Sequence, residues 1–386
     1  MYNQKLSIAH IGSYDKNLGD NIAILNIRNE LNKYFSNINW CNVDISKFWD
    51  VNNNIEYVKN FFSTNNFDLI IIGGGGLIEY IGYEKQQTHY KLPFNYEILK
   101  SIRIPILCIS LGINYFRGRE GFSEEAKNSL RDLINYSSSF SLRNDGSIQI
   151  LKDLGLYTEK VLEIPDPGLI FEFQKIENFH NLKKNILQPA FNQKNIINLN
   201  RFNGQENLDN FINLIDKFNL RIMPHTYKDY RYFNEFVIPK DDSKHFFSFK
   251  NTYQCIKEYL DFDSLIALRG HGQLISIGLN IPGIYFSTQD KVRDFSMIHG
   301  FSDYCIDINQ NTWIPELKEK FTLLTSDSYY RKNWYKIREE KIISFRKLFI
   351  DYLFQCAQKI NAIPLSDSSK NYQQKKKSRF FFFQKN

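Results

Sequence analysis

Short runs of apolar, β-branched residues alternate along the chain with longer stretches of helical periodicity. We predict strands at residues 6–12, 68–74, 105–112, 138–143, 195–200, 219–225, 264–269 and 281–287. We predict helices at residues 20–35, 53–65, 123–136, 144–154, 206–218, 249–260 and 271–279. This alternation predicts parallel sheets with helices on both faces. The run Leu69–Ile72 is apolar throughout, as strands of such sheets are.

The alternation of strand and helix patterns is interrupted once, at the polar stretch 171–194, which we predict to be an interdomain linker. The fold class is therefore predicted as α/β, with two doubly wound Rossmann-like domains facing a cleft. We expect the domains at residues 1–175 and 176–361, followed by a basic disordered tail at 362–386. Residues 328–360 read as one or two amphipathic helices that pack outside and cross back to the first domain. One stripe of that segment holds Trp334, Ile337, Leu348, Tyr352 and Cys356.

Composition adds little to this picture. A chain of 386 residues fits two domains, and its five cysteines are scattered without paired spacing. With no signal-peptide pattern and no long apolar run, we expect a cytoplasmic protein. The net charge is +7, but residues 370–386 carry six basic side chains and no acidic one. The body is thus nearly neutral, which argues against a nucleic-acid partner.

Four consecutive glycines, Gly73–Gly76, lie at the end of the predicted strand at 68–74. They match neither a dinucleotide-binding fingerprint nor a P-loop, because the further glycine or the Gly-Lys-Ser/Thr of those motifs is missing. Two interpretations stay open: the backbone makes a tight strand–helix turn, or it approaches a ligand or another loop closely. Glycines of this kind at a strand end are candidate ligand contacts, and we single out Gly74 and Gly75.

Basic side chains and a histidine lie at other predicted strand ends, where parallel sheets bind ligands. Arg143 ends one strand, Arg269 and His271 end another, and Lys291 follows a third. Gly270 and Gly272 flank the histidine. An arginine fork and a lysine suit phosphate and carboxylate groups, so these residues together predict a site for a small polyanion.

The chain resembles the polysaccharide pyruvyl transferase family over about residues 6–300. The resemblance rests on the order and spacing of NLGDN (17–21), DLIIIGGGGLI (68–78), FSLRNDGS (140–147), IPDPGL (164–169), MPHTYKDY (223–230) and RGHGQLISIGLNIPGIYFSTQDK (269–291). The family often has an acidic residue after the arginine of the third motif, whereas this chain has Asn144. Asp145 is then the alternative partner for Arg143.

The resemblance implies a glycosyltransferase-B-like fold and transfer of pyruvate from phosphoenolpyruvate to two hydroxyls of one sugar. The product is a ketal on a cell-surface polysaccharide. It further implies that Arg143, His271 and Lys291 contact the donor. This scheme needs no cofactor and no metal, and its partners are phosphoenolpyruvate and a glycan or lipid-linked sugar acceptor.

The donor chemistry agrees with these residue types. Protonation of the donor methylene needs a general acid, for which His271 is the candidate. Arg143, Arg269 and Lys291 would hold the anionic groups. The remaining candidate substrate contacts are Gly270, Gly74, Gly75, Asn17, Asp20 and His225. Asp20 or Asn21 is also the predicted cap of the first helix, and Tyr14, Tyr80 and Tyr115 could stack on sugar rings or pack in the core.

Two rival functions stay open. One is a glycosyltransferase that uses a nucleotide sugar, whose diphosphate the cations would hold. The other is a non-catalytic glycan-binding protein. Separately, the basic, phenylalanine-rich tail could touch anionic lipid on the inner face of the membrane or simply stay solvated.

Overall fold

The computed structural model describes residues 2–14, 17–49, 55–115, 121–170, 185–188, 213, 217–218, 220–223, 225, 252–260, 262–287, 290–308, 310–326 and 328–362. The predicted strand at 195–200 and the basic tail beyond Ala362 lie outside these residues. Most of the predicted helix at 206–218 does as well.

The first domain is built on a six-stranded, fully parallel sheet in the order β2-β1-β3-β4-β5-β6. Parallel pairing explains why the central strands are buried on both faces, as Leu69–Ile72 are. The strands are β1 Tyr2–Gly12, β2 Phe35–Asp44, β3 Leu69–Glu79, β4 Ile106–Asn114, β5 Ser139–Arg143 and β6 Val161–Ile164.

The connecting helices begin where polar side chains satisfy their first free N–H groups. Asn17, Asn95 and Ser123 each accept a hydrogen bond at a helix start. Asn17 is therefore the cap of the first helix, and the prediction of Asp20 or Asn21 was wrong. The helices are α1 Leu18–Tyr34, α2 Ile55–Thr64, α3 Tyr96–Ser101, α4 Glu124–Tyr136 and α5 Ser147–Asp153, and short 3₁₀ segments cover Ile45–Phe48 and Pro167–Leu169.

The second domain has a five-stranded parallel sheet in the order β11-β10-β9-β7-β8. Its strands are β7 Asn185–Gln188, β8 Leu220–Ile222, β9 Ser264–Ala267, β10 Gly283–Phe286 and β11 Cys305–Ile306. Its helices are α6 Thr252–Tyr259, α7 Gly270–Leu279, α8 Asp290–His299 and α9 Trp313–Ser326.

Four strands correct the prediction, among them the two-residue strand β11, which was not predicted. The edge strand β2 was missed because its exposed positions are polar, and the edge strand β6 was missed because it has only four residues. The short strand β7 lies inside the stretch predicted as a linker, so the linker is shorter than 171–194. The last strand of the first sheet ends at Ile164, and the first strand of the second sheet begins at Asn185. The predicted domain boundary at 175/176 falls between them, outside the described residues.

A single helix, α10 Ser328–Asn361, joins the two domains. On the second domain, the Trp334 indole donates to the Tyr285 hydroxyl and Arg338 donates to the carbonyls of Ile277 and Gly278. On the first domain, the Tyr352 hydroxyl donates to the Cys108 carbonyl and Lys359 donates to that of Ser138. The predicted crossing back is thus confirmed.

The stripe predicted on this segment is correct except at one position. Trp334, Tyr352 and Cys356 are buried and Ile337 packs against the core, but Leu348 is half exposed. Phe345 and Phe349 are buried instead, so the buried face of the helix runs beside Leu348.

The two domains share one continuous hydrophobic core. Ile8 and Ile71, on one face of the first sheet, belong to the same buried cluster as Leu265 of β9 and Trp334 of α10. Polar contacts reinforce this interface: Leu18 N–H donates to the His225 carbonyl at 3.0 Å. Buried apolar packing fixes the cleft walls relative to each other, which matters because side chains from both walls form the site.

Candidate active site

The glycine stretch lies inside β3, which continues to Glu79, and does not form a strand–helix turn. Gly74 has a φ of 86°, and a Cβ there would lie 2.3 Å from the Ile24 side chain of α1. A Cβ at Gly75 would lie 2.6 Å from the Asp20 carboxylate. The close approach inferred from the sequence is therefore real, and the structure shows α1 making it. A ligand contact by Gly74 or Gly75 stays a prediction.

Arg143 is the buried centre of the site, with only 2% of its surface exposed. Its Nε donates to Asp145 at 2.6 Å and its Nη1 donates to Asp166 at 2.8 Å. Burial alone would lower the pKa of the guanidinium, but the two carboxylates outweigh burial and raise it. The guanidinium passes directly beside Gly112, where a Cβ would lie 2.3 Å from Cζ. Glycine at 112 is thus required for the arginine to reach this position.

The structure shows how Arg143 is held although Asn144 replaces the acidic residue that the family often has at this position. Asp145, the alternative named from the sequence, is one carboxylate partner of Arg143. The Asn144 amide oxygen instead accepts the backbone N–H of Asp166 at 3.2 Å. Asn144 therefore positions the second carboxylate that holds the arginine.

Asp166 is a site residue that the sequence reasoning missed. It follows β6, the edge strand absent from the prediction, and it lies within the IPDPGL motif. Besides binding Arg143, its Oδ1 accepts the Gly168 N–H at 2.7 Å and so caps a 3₁₀ turn. An acidic residue directly before Pro-Gly was the available signal.

His271 lies in the first turn of α7 and is 8% exposed. Its Nδ1 is 3.6 Å from Asp20 of the first domain, and its Nε2 is 3.9 Å from Asp166. A Cβ at Gly19 would lie 2.1 Å from the imidazole Cγ. The ring thus packs on the start of α1, and glycine at 19 leaves the room for it.

Burial and the surrounding charges keep the His271 imidazole neutral. Burial, followed by the positive charges of Arg143, Lys291 and Arg269, lowers its pKa well below the usual value. Its Nε2 has no hydrogen-bond partner among the described residues. Burial has the opposite effect on the neighbouring carboxyl group and raises the pKa of Asp20 to about 6.

Lys291 lies in the first turn of α8, and its Nζ donates to Asn114 Oδ1 at 3.3 Å. Asn114 ends β4 of the first domain, so this contact also crosses between the domains. Burial and the nearby Arg143 charge lower the pKa of the lysine to about 8. The ammonium is mainly protonated at neutral pH, but it titrates within an accessible range.

Two further predicted residues lie close by. Arg269 precedes α7 and is near enough to lower the pKa of both His225 and His271. His225 is buried, its Nε2 hydrogen-bonds the Tyr259 hydroxyl, and burial is the main cause of its lowered pKa. The sequence suggested no cation near His225, and the structure places Arg269 there.

Two cavities adjoin this cluster. A small one of about 20 Å³ lies between Arg143, His271 and Lys291. That volume holds about one water molecule. A larger one of about 470 Å³ begins at Lys291 and extends between α5 and α8.

The three tyrosines named as possible sugar-stacking residues lie in different surroundings. Tyr14 donates to the His10 carbonyl, and Tyr80 is buried with its ring 4.5 Å from that of Phe122. Tyr115 lines the larger cavity. Only Tyr115 is therefore placed to meet a ligand.

Within the described ranges, no group of three or more His, Cys, Asp or Glu side chains is arranged to hold a metal ion. Over the same residues, no helix combines the length and apolar character needed to cross a bilayer.

A family model described as polysaccharide pyruvyl transferase matches residues 17–290. No curated protein matches the chain. Among solved structures, the S. aureus MnaA–UDP co-structure aligns with a TM-score of 0.54 at 12% identity, covering 86% of this chain and 91% of that one. UDP-GlcNAc 2-epimerase from Neisseria meningitidis bound to UDP-GlcNAc aligns with a TM-score of 0.53 at 14% identity, covering 90% and 99%. At such identities the similarity shows the fold alone, and that fold is glycosyltransferase-B-like, as predicted.

Proposed function

The chain belongs to the polysaccharide pyruvyl transferase family, and we propose that it transfers pyruvate from phosphoenolpyruvate to two hydroxyls of one sugar as a ketal. Polysaccharide pyruvylation is the family's activity; the donor, the ketal product and the residue roles are the proposal.

The observation that carries the proposal is the convergence of Arg143, His271 and Lys291 on one small cavity. They come from β5, α7 and α8, and thus from both domains. Phosphoenolpyruvate places a phosphate and a carboxylate on three carbons, and binding it requires several cations within a few ångströms. A single titratable imidazole among those cations is suited to move a proton.

The carboxylates in the cluster keep these cations in place. Asp145 and Asp166 hold Arg143 from two sides, and Asp20 faces His271. A preorganised cation loses little freedom when the anion binds, so more of the interaction energy remains for catalysis.

The reaction is a balanced exchange. A proton adds to the donor methylene carbon, which becomes the methyl group, and C2 takes oxocarbenium character. One sugar hydroxyl attacks C2 and loses its proton. The C2–O bond to phosphate then breaks, and the second hydroxyl attacks and loses its own proton. The two hydroxyls release two protons. One returns to the general acid, which gave its proton to the methylene carbon, and the other leaves with the phosphate.

The bound donor would change the protonation of His271. Burial, and after it the nearby cations, lower the imidazole pKa and keep the ring neutral without the donor. A donor with negative phosphate and carboxylate groups offsets those cations and raises the imidazole pKa. His271 then holds a proton for the methylene carbon, while Asp20, near Nδ1, orients the ring.

We propose further that the protein works in the cytoplasm on a glycan or lipid-linked sugar, with the basic residues 370–386 as a weak contact to the membrane. The support for the lipid contact is compositional: five basic residues precede a run of four phenylalanines and a sixth follows it. Deleting residues 370–386 should abolish co-sedimentation with anionic vesicles at low salt and leave phosphoenolpyruvate binding unchanged.

The test of function is phosphate release from phosphoenolpyruvate with a panel of sugar acceptors, with mass spectrometry of the product for the carboxyethylidene group. Arg143→Lys and His271→Gln should abolish turnover, while Asp303→Asn, an exposed change, should not. A thermal shift with UDP-GlcNAc but none with phosphoenolpyruvate would favour the nucleotide-sugar alternative and overturn the proposal.

A further inference from the structure

We propose that the sugar acceptor binds in the cavity of about 470 Å³ between α5 and α8, which we call the α5–α8 groove. Its lining includes Asn114, Gln149, Asp153, Asp294, Met297 and Ile298. This inference rests on the proposed function and adds the place and chemistry of acceptor recognition. The volume is that of an ordinary small-molecule site.

The groove is continuous with the reacting cluster. Asp145 and Lys291 line both this groove and the small cavity that holds His271 and Arg143. At the same end, a Cβ on Gly146 would lie 3.3 Å from the Asp294 Cβ, so α5 and α8 approach each other closely there. A sugar in the groove therefore meets the donor across Lys291.

The charge of the groove separates acceptor from donor. Its charged lining consists of four aspartates, Asp145, Asp153, Asp290 and Asp294, and one cation, Lys291. Arg143 and Arg293 offset part of this negative charge, but the lining itself offers an anion only Lys291. The hydroxyl groups of a neutral sugar, in contrast, donate hydrogen bonds to carboxylates.

The carboxylates are held by neighbours that leave oxygen lone pairs available. Arg293 donates to Asp290 at 3.3 Å and to Asp294 at 3.2 Å. Gln149 donates to Asp153 Oδ1 at 2.8 Å. A carboxylate can accept about four hydrogen bonds, so these contacts do not saturate Asp153 and Asp294, whereas Asp145 already accepts three from Arg143 and Ser147.

An apolar surface completes the groove. Met297 and Ile298 of α8 are 63% and 53% exposed, which is unusual for large apolar side chains. Together with Tyr115, they offer contact to the C–H face of a sugar ring while the aspartates take its hydroxyls. Mixed polar and apolar walls of this kind suit a pyranose.

The experiment compares two groove variants with two matched controls. Met297→Trp fills the groove and Asp294→Asn removes one acceptor of hydrogen bonds. Ile343→Trp and Asp303→Asn make the same kinds of change at exposed sites on other faces. The probes are the methyl glycosides of glucose, galactose, mannose and N-acetylglucosamine, observed by saturation-transfer NMR and by phosphate release with phosphoenolpyruvate.

We expect the groove variants to raise the acceptor KM about tenfold or more, as loss of a hydrogen bond to a charged group does. The KM for phosphoenolpyruvate should stay within about twofold, and the controls should behave as wild type. Met297→Trp should also abolish saturation transfer to the sugar.

Unchanged acceptor KM in both groove variants, with normal turnover, would overturn the groove and leave the function standing. A different outcome is that the wild type binds a sugar, Met297→Trp abolishes that binding, and phosphoenolpyruvate is not consumed. That outcome would overturn the function and support the groove. No binding or turnover with any of the four sugars would overturn the inference.

Discussion

Lys291 provides the sharpest test of the site because its pKa of about 8 makes donor capture titrate in a measurable range. The charged ammonium is the form that attracts an anion. It is present below pH 8 and is lost as the pH rises through 8. The parameter kcat/KM for phosphoenolpyruvate reports free-enzyme groups, so it should fall on the alkaline side with this pKa.

The size of the fall follows from the titration. With a pKa of about 8, the charged fraction is about 0.9 at pH 7 and about 0.1 at pH 9, so kcat/KM should drop about tenfold. Removing the charge by Lys291→Met should cost the equivalent of one charge-assisted hydrogen bond, about 1.5–3 kcal/mol, or roughly 10- to 150-fold at pH 7. A phosphate monoester has its second pKa near 6, so the donor's own charge is constant over this range.

The assay is steady-state phosphate release from pH 6 to 10 for wild type, Lys291→Arg, Lys291→Met and Lys85→Arg. Arginine stays charged throughout, so Lys291→Arg should lose the alkaline fall. Lys85 is exposed, and its variant should keep the wild-type profile. An alkaline fall of equal size in Lys291→Arg would refute the assignment, because the titrating group would then be another.

Three further outcomes are expected. In the wild type, kcat/KM for phosphoenolpyruvate should fall on the acid side near pH 6, since the Asp20 pKa is about 6 and the orienting carboxylate is lost below it. Asp20→Asn should remove this fall. If the variant shows the same fall as the wild type, the titrating group belongs to the donor and not to Asp20. Gly74→Ala should destabilise far more in urea melts than Gly82→Ala, because both have φ near 86° but only Gly74 faces Ile24; equal losses would contradict the packing role. Trp334→Ala should cost about 3–5 kcal/mol of unfolding free energy, measured by denaturation, and an unchanged midpoint would contradict its burial.

The sequence was sufficient for those features that depend on local pattern. Alternation of apolar strands and helices predicted two parallel sheets, and strand ends pointed to Arg143, Arg269, His271 and Lys291. The structure brings these four near one another, because parallel strands present their carboxyl ends along one edge and the two edges face each other.

The sequence failed where the signal was weak or distant. The exposed positions of the edge strand β2 are polar and the edge strand β6 has only four residues, so neither shows the long continuous apolar run of the central strands. Missing β6 meant missing Asp166, whose contact with Arg143 joins residues 23 positions apart. No local pattern records a pairing of this kind.

The sequence by itself determined the fold class, the family and the kinds of side chain that meet at the cleft, since these follow from hydrophobic periodicity and motif order. Only the tertiary structure decided why glycines stand at 19, 74 and 75: His271, Ile24 and Asp20 fill the space beside them. It also decided the protonation states, because desolvation and charge at a few ångströms depend on which distant residues surround His271, Asp20 and Lys291.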